Sequence, residues 1–259
     1  MSVRKLFDLS GRVALVTGGS RGLGLQVAEA LGEMGAKVAL TARKRDELDE
    51  ACEHLQSMNV ESMALVCDMS RPEAIGPMVE QAAAKWGPID ILVNNAGTTW
   101  GADMLEHPLD AWKKVMELNL TAMFLVSQEV GRRCMVPRRR GKVINVASVL
   151  GMVGGGDPGR PGTIAYNTSK GGVISFTRSL AAEWAQHDIN VNAIAPGFFP
   201  TKMTKGLMQM MGEQVARKAP LNRVGGPEDL KGAAVLLASD AGAFITGQTL
   251  AVDGGYTAV

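Results

Sequence analysis

Short apolar runs alternate with longer amphipathic stretches along the whole chain. The runs fall at 13–17, 37–41, 62–66, 89–94, 142–147, 190–195 and 249–252, and their Val, Ile and Ala content suits strands buried on both faces. Between them, 23–34, 44–58, 72–86, 108–136, 165–186 and 227–238 are long enough to be crossover helices. This alternation predicts one α/β domain over 1–259, a doubly wound, seven-stranded parallel sheet flanked by helices on both faces. Gly35 suits a left-handed helix end, and Pro72 and Pro108 fall where a first helical turn tolerates proline. The Gly- and Pro-rich stretch 151–162 reads as a loop inside the domain, because alternation resumes after it.

Composition narrows the function classes. Lys+Arg 27 against Asp+Glu 26 leaves a formal charge of +1, so no global field attracts nucleic acid or an anionic membrane. With 46% hydrophobic and 20% charged residues, disordered and polyelectrolyte readings are excluded. No apolar stretch reaches the roughly 18 residues of a membrane span, and no apolar run follows Arg4 and Lys5 as in a secretion signal. Cys52, Cys67 and Cys134 are an odd set without paired spacing, which argues against disulfides or structural zinc and for a cytoplasmic, reducing environment. His54, His107 and His187 are scattered, so no metal site is expected.

Thr17-Gly18-Gly19-Ser20-Arg21-Gly22-Leu23-Gly24 follows the first strand and opens a helix. Glycines there let a pyrophosphate approach the backbone and face the helix N–H groups. About twenty residues on, where a carboxylate would hold the ribose 2′-hydroxyl of NAD, the chain reads Thr41-Ala42-Arg43-Lys44. Arg43 and Arg21 suit charge-assisted bonds to a 2′-phosphate, so the expected cofactor is NADP(H). Solvated surface charge is the other account of these arginines.

Tyr166-Asn167-Thr168-Ser169-Lys170 places a phenol and an ammonium one helical turn apart, where the cation favours phenolate and makes Tyr166 a usable acid/base. Together with the Gly-rich turn, Asn94-Asn95-Ala96-Gly97, Asn119, Ser148 and Pro196-Gly197, in that order, this pair resembles the short-chain dehydrogenase/reductase family. The resemblance implies a Rossmann sheet of order 3-2-1-4-5-6-7 and hydride transfer between nicotinamide and a ketone or secondary alcohol. It implies Tyr166 as proton donor, Ser148 polarising the carbonyl oxygen, and Lys170 holding the nicotinamide ribose and lowering the Tyr166 pKa. Asn119 would kink its helix and anchor a water in the proton relay. The cofactor set it implies is Gly18, Ser20, Arg21, Gly22, Leu23, Gly24, Arg43, Asp68 on the adenine, Asn94, Asn95, Ala96 and Gly97, Tyr166, Lys170, Pro196, Gly197, and Thr201 on the nicotinamide amide. For Thr201 an N-cap of the following segment is the local alternative.

The remaining features bear on substrate. Eighteen positions separate Ser148 from Tyr166, a wider gap than is usual in the family, and Arg160 within it suits an anionic substrate or bare solvent. The segment 199–225 is expected to act as a lid, with Met203, Leu207, Met208, Met210 and Met211 giving either an adaptable face for an acyl chain or simple packing. Arg132, Arg133, Arg138, Arg139 and Arg140 suit a helix carboxyl end; in the family's 3-oxoacyl-acyl-carrier-protein reductases a basic residue matching Arg139 helps dock the acidic carrier, while a second such arginine is His187 here. The first reading is an NADP(H)-dependent 3-oxoacyl-thioester reductase, with its substrate free or carrier-bound. The alternatives are a gluconate 5-dehydrogenase-like enzyme and an NADP(H)-sensing binding protein. The resemblance also implies a homotetramer.

Overall fold

Each central strand feeds two cores because successive side chains point to opposite faces. Along β1 (Val13–Thr17), Ala14 and Val16 enter one hydrophobic cluster while Val13 and Leu15 enter another. The same division holds in β2 (Lys37–Ala42), where Val38 and Leu40 oppose Ala39. The other strands are β3 (Ser62–Val66), β4 (Ile91–Asn94), β5 (Gly141–Val146), β6 (Ile189–Pro196) and β7 (Thr249–Val252). All pair in parallel in the order β3-β2-β1-β4-β5-β6-β7, the expected single-domain doubly wound arrangement. The computed structural model describes residues 1–154 and 161–259, apart from the side chains of Leu207 and Met211.

The helices are α1 (Val3–Leu6), α2 (Gly22–Glu33), α3 (Arg45–Ser57), α4 (Pro72–Trp86), α5 (Leu109–Met116), α6 (Ala122–Val130), α7 (Ile164–Trp184), α8 (Lys205–Arg217) and α9 (Lys231–Ala238). Gly35 ends α2 at φ +99°, as its position suggests. Pro108, in contrast, is the extended residue before α5 rather than part of its first turn. The expected 108–136 helix is interrupted by π-helical turns at Glu117–Thr121 and Gly131–Met135. The first carries Asn119, whose buried carboxamide bonds both backbone groups of Thr98 and the Ser169 hydroxyl. In the second, a Cβ on Gly131 would stand 2.5 Å from the Trp184 ring.

The strand order reverses between β1 and β4, so the loops leaving their carboxyl ends diverge and open a crevice there. That crevice is lined by most of the cofactor residues singled out from the sequence, with Tyr166 and Lys170 among them.

Candidate active site

The glycine-rich loop leaves β1 and is locked to the loop after β4. Thr17 Oγ1 accepts the N–H groups of Asn95 (2.9 Å) and Ala96 (3.0 Å), and Asn95 Nδ2 donates to the carbonyls of Thr17 (3.0 Å) and Gly18 (2.9 Å). Gly18 and Gly22 adopt φ +62° and +56°, a region that L side chains rarely occupy. A Cβ at Gly24 would lie 2.4 Å from both Asn95 Nδ2 and the Gly18 carbonyl oxygen. Gly24→Ala is therefore expected to cost about 1–3 kcal/mol and to weaken coenzyme binding. Chemical denaturation and coenzyme titration check this, and a wild-type result in both would mean that the two loops are not packed as tightly as described.

The N-cap position of α2 is Arg21, whose side chain makes no capping hydrogen bond. The first N–H groups of α2 face a cleft of about 570 Å³. Gly18, Ser20, Arg21, Gly22 and Leu23 form one wall, Arg43 and Asp68 the end under β2 and β3, Asn95, Ala96 and Gly97 the floor, and Tyr166, Lys170, Pro196, Gly197 and Thr201 the far side. The cradle and the helix N-terminus suit a dinucleotide. Asn94 departs from expectation: it lies beneath the cleft, donating to Ser127 Oγ (3.0 Å) and Asn145 Oδ1 (2.9 Å). Asp68 Oδ1 accepts the Ser70 N–H and hydroxyl, and these bonds hold its carboxyl below the usual range against partial burial, with help from the Arg43 charge. Thr201 is not the N-cap of α8, a position held by Thr204, although Thr201 Oγ1 lies 3.1 Å from Thr204 Oγ1.

Ser148 stands two residues past β5, buried, with Oγ accepting the Leu150 N–H at 3.2 Å. Tyr166, in the first turn of α7, hydrogen-bonds the Ser148 side chain. One turn on, the buried Lys170 ammonium donates to the Val146 carbonyl at 2.6 Å and lies 5.7 Å from the Tyr166 ring centroid. Burial pushes the Tyr166 pKa up, partly offset by the Ser148 bond, and pushes Lys170 down to about 8. The expectation that Lys170 lowers the tyrosine pKa is thus not met. Desolvation dominates both groups, and the ammonium is turned to the backbone.

Sequence reasoning missed Glu47, which lines the cleft and pairs with Arg21, Lys44 and Lys202. Its place in the first turn of a helix reads as dipole complementation, and only the fold brings Lys202 to it. The arginine patch lies elsewhere, at the amino-terminal end of the strands, where β5 begins. There Arg132 and Arg133 pair with Glu129, Arg138 and Arg140 with Asp90, and Arg139 with Asp188. Arg160 lies outside the described residues. Met203 lines the cleft, and Met210 on α8 is exposed.

Residues 18–257 match the family described as Enoyl-(Acyl carrier protein) reductase. The chain is 39% identical to gluconate 5-dehydrogenase of Gluconobacter oxydans over 259 residues, 99% of each chain. It is 40% identical to the 3-oxoacyl-(acyl-carrier-protein) reductase FabG of Vibrio cholerae over 248 residues, 96% of this chain and 98% of that one. The crystal structure of a gluconate 5-dehydrogenase from Burkholderia cenocepacia in complex with NADP and tartrate superposes with a TM-score of 0.92 at 34% identity, covering all of both chains. With the Ser148, Tyr166 and Lys170 group set at the reversal point of the sheet, these likenesses establish that the chain belongs to the short-chain dehydrogenase/reductase family of oxidoreductases.

Proposed function

We propose that the protein is an NADP(H)-dependent oxidoreductase that interconverts a ketone and a secondary alcohol at Tyr166. The observation that carries the reading is the convergence of Tyr166 and Lys170 in the cleft that the glycine-rich loop walls, with the Ser148 side chain beside the Tyr166 phenol. The α2 N-terminus and the Gly18 and Gly22 backbone would hold the pyrophosphate, Arg21 and Arg43 the 2′-phosphate, Asp68 the adenine, and Lys170 and Thr201 the nicotinamide end. The solved Burkholderia relative carries NADP in such a fold. When bound, the nicotinamide supplies or accepts the hydride. Ser148 donates to the carbonyl oxygen, and Tyr166 gives that oxygen a proton in reduction and takes it back in oxidation. A raised Tyr166 pKa keeps the phenol protonated at neutral pH, the form that reduction requires. Asn119 and Lys170 border a cavity of about 10 Å³, the room that one relay water needs.

For substrate we place a 3-oxoacyl thioester first, because apolar side chains are exposed on the segment that follows the cleft-lining Thr98 and Thr99. Exposed Trp100, Met104 and Leu105 extend from the cleft-lining Thr98 and Thr99, in a loop that bridges from Ala102 to Gly162 just ahead of Tyr166, and Met203 stands on the lid segment 199–225. A free thioester precedes a carrier-bound one, since each patch arginine already faces a carboxylate. The second reading, a sugar acid, is favoured by relatives named for gluconate and 5-keto-D-gluconate. A homotetramer is supported by apolar surface at Leu109, Phe124 and Phe244, and a cytoplasmic site by the three free cysteines.

Initial rates with NADPH and NADH, each against a 3-oxoacyl thioester and 5-ketogluconate, test the whole reading. NADPH with the thioester is expected to be fastest, and Arg43→Asp to cut the NADPH/NADH ratio of kcat/KM by roughly ten- to a hundredfold, as the loss of a charged hydrogen bond would. A ratio near one that Arg43→Asp leaves alone removes the coenzyme assignment. Faster turnover of the sugar acid replaces the substrate.

A further inference from the structure

Glu47 and Asp68 both bring carboxylates to this end of the cleft, but Asp68 is held by Ser70 whereas Glu47 is met by cations from three segments. It stands in the first turn of α3 with a side chain 19% exposed, and three cations meet its Oε1: Arg21 Nη1 at 2.5 Å, Lys44 Nζ at 3.3 Å and Lys202 Nζ at 3.7 Å. They come from the glycine-rich loop, from the residue before α3, and from the connection between β6 and α8. A first-turn acid complements the helix dipole, but Asp46 beside it already does so, and that role requires no contact with other segments. Burial works to raise the Glu47 pKa, yet the Lys44 bond and the charges of Arg21, Lys44 and Lys202 outweigh it, so the group is anionic at neutral pH.

We propose that Glu47 is a specificity-determining residue of the cleft, an internal carboxylate that occupies Arg21 until the 2′-phosphate of a phosphorylated dinucleotide takes its place. The inference rests on the NADP(H) reading above. Carboxylate and phosphate seek the same planar guanidinium fork. A phosphorylated coenzyme therefore gains only the difference between its own bond to Arg21 and the one that Glu47 gives up, and it meets the repulsion of that carboxylate as well. A coenzyme without the phosphate leaves the Glu47–Arg21 pair in place. Lys202 and Lys44 stay with Glu47 once Arg21 has turned to the phosphate, so the exchange strands no charge. Glu47 thus lowers the preference that Arg21 and Arg43 create.

Calorimetric titration of 2′,5′-ADP and 5′-AMP into wild type, Glu47→Gln and Asp46→Asn, at low and high salt, reads this without turnover. Glu47→Gln is expected to bind 2′,5′-ADP about three- to tenfold more tightly than wild type, with 5′-AMP moving by less than about twofold, Asp46→Asn flat, and the gap narrowing in high salt. Glu47→Ala, melted alongside to confirm its fold, is expected to shift in the same direction. Unchanged or weaker 2′,5′-ADP binding in both Glu47 variants overturns the proposal, as does an equal gain for 5′-AMP or the same gain in Asp46→Asn. In each of those cases a wild type that still prefers 2′,5′-ADP leaves the NADP(H) reading standing. A wild type with no such preference removes both.

Discussion

Tyr166→Phe is expected to lower kcat for ketone reduction by about 10²- to 10⁴-fold, the usual contribution of a positioned general acid, while the coenzyme dissociation constant stays within a few-fold. The ring is kept, and of the groups that form the coenzyme walls only one hydroxyl is lost. Ser148 retains the Leu150 N–H as a partner, so the mutation strands no buried donor on the backbone. Stopped-flow absorbance of the nicotinamide with saturating ketone, beside a fluorescence titration of NADPH, separates the two effects. Turnover within tenfold of wild type would place the acid elsewhere. Wild-type turnover that is absent with every ketone and alcohol tried, with coenzyme still bound, would favour a sensor over an enzyme.

Legibility in the sequence followed burial. The strands are apolar on both faces, so Val13 to Thr17 and its counterparts announce themselves as unbroken runs, and all seven were readable to within two residues. The helix Lys205–Arg217 was read only as part of a lid segment, although Leu207, Met208, Met211 and Val215 recur at helical spacing in its sequence. The π turns leave no compositional mark. One inserted residue is enough to make them, and Asn119 is its only hint. Asn94 and Asn95 show the same limit within the site. They are identical in type and adjacent, but on a strand end neighbouring side chains take opposite sides, so one ties the sheet to Ser127 and Asn145 while the other braces the glycine-rich loop. The candidate group of Ser148, Tyr166 and Lys170 could be picked out by type and order, whereas its electrostatics could not. Desolvation depends on what covers Tyr166 and Lys170, and the i to i+4 spacing says nothing about cover.

That desolvation makes the Lys170 ammonium a buried charge held at a cost to stability. Burial lowers its pKa from the ordinary 10.5 to about 8, so below pH 8 the folded chain carries a penalty of about 3 kcal/mol for keeping the ammonium. Lys170→Met is expected to lose turnover yet to be more stable than wild type by about 1–2 kcal/mol at pH 7, after subtracting roughly 1 kcal/mol for the lost bond to the Val146 carbonyl. The sign reverses with alkalinity. Between about pH 8 and 10.5 the unfolded chain holds the Lys170 proton and the folded chain does not, so this group makes wild-type stability rise with pH while the variant gains nothing from it. The thiols of the half-buried Cys52 and the buried Cys67 and Cys134, raised above their ordinary 9.0 by desolvation, act in the opposite sense at higher pH, but they are common to both proteins and cancel in the difference. Paired urea denaturation from pH 7 to 9.5 should therefore show the advantage of Lys170→Met shrinking steadily above pH 8. A difference that stays flat across that range would mean that the ammonium is not desolvated in the free protein, and that its pairing with Tyr166 is set by solvent rather than by the fold.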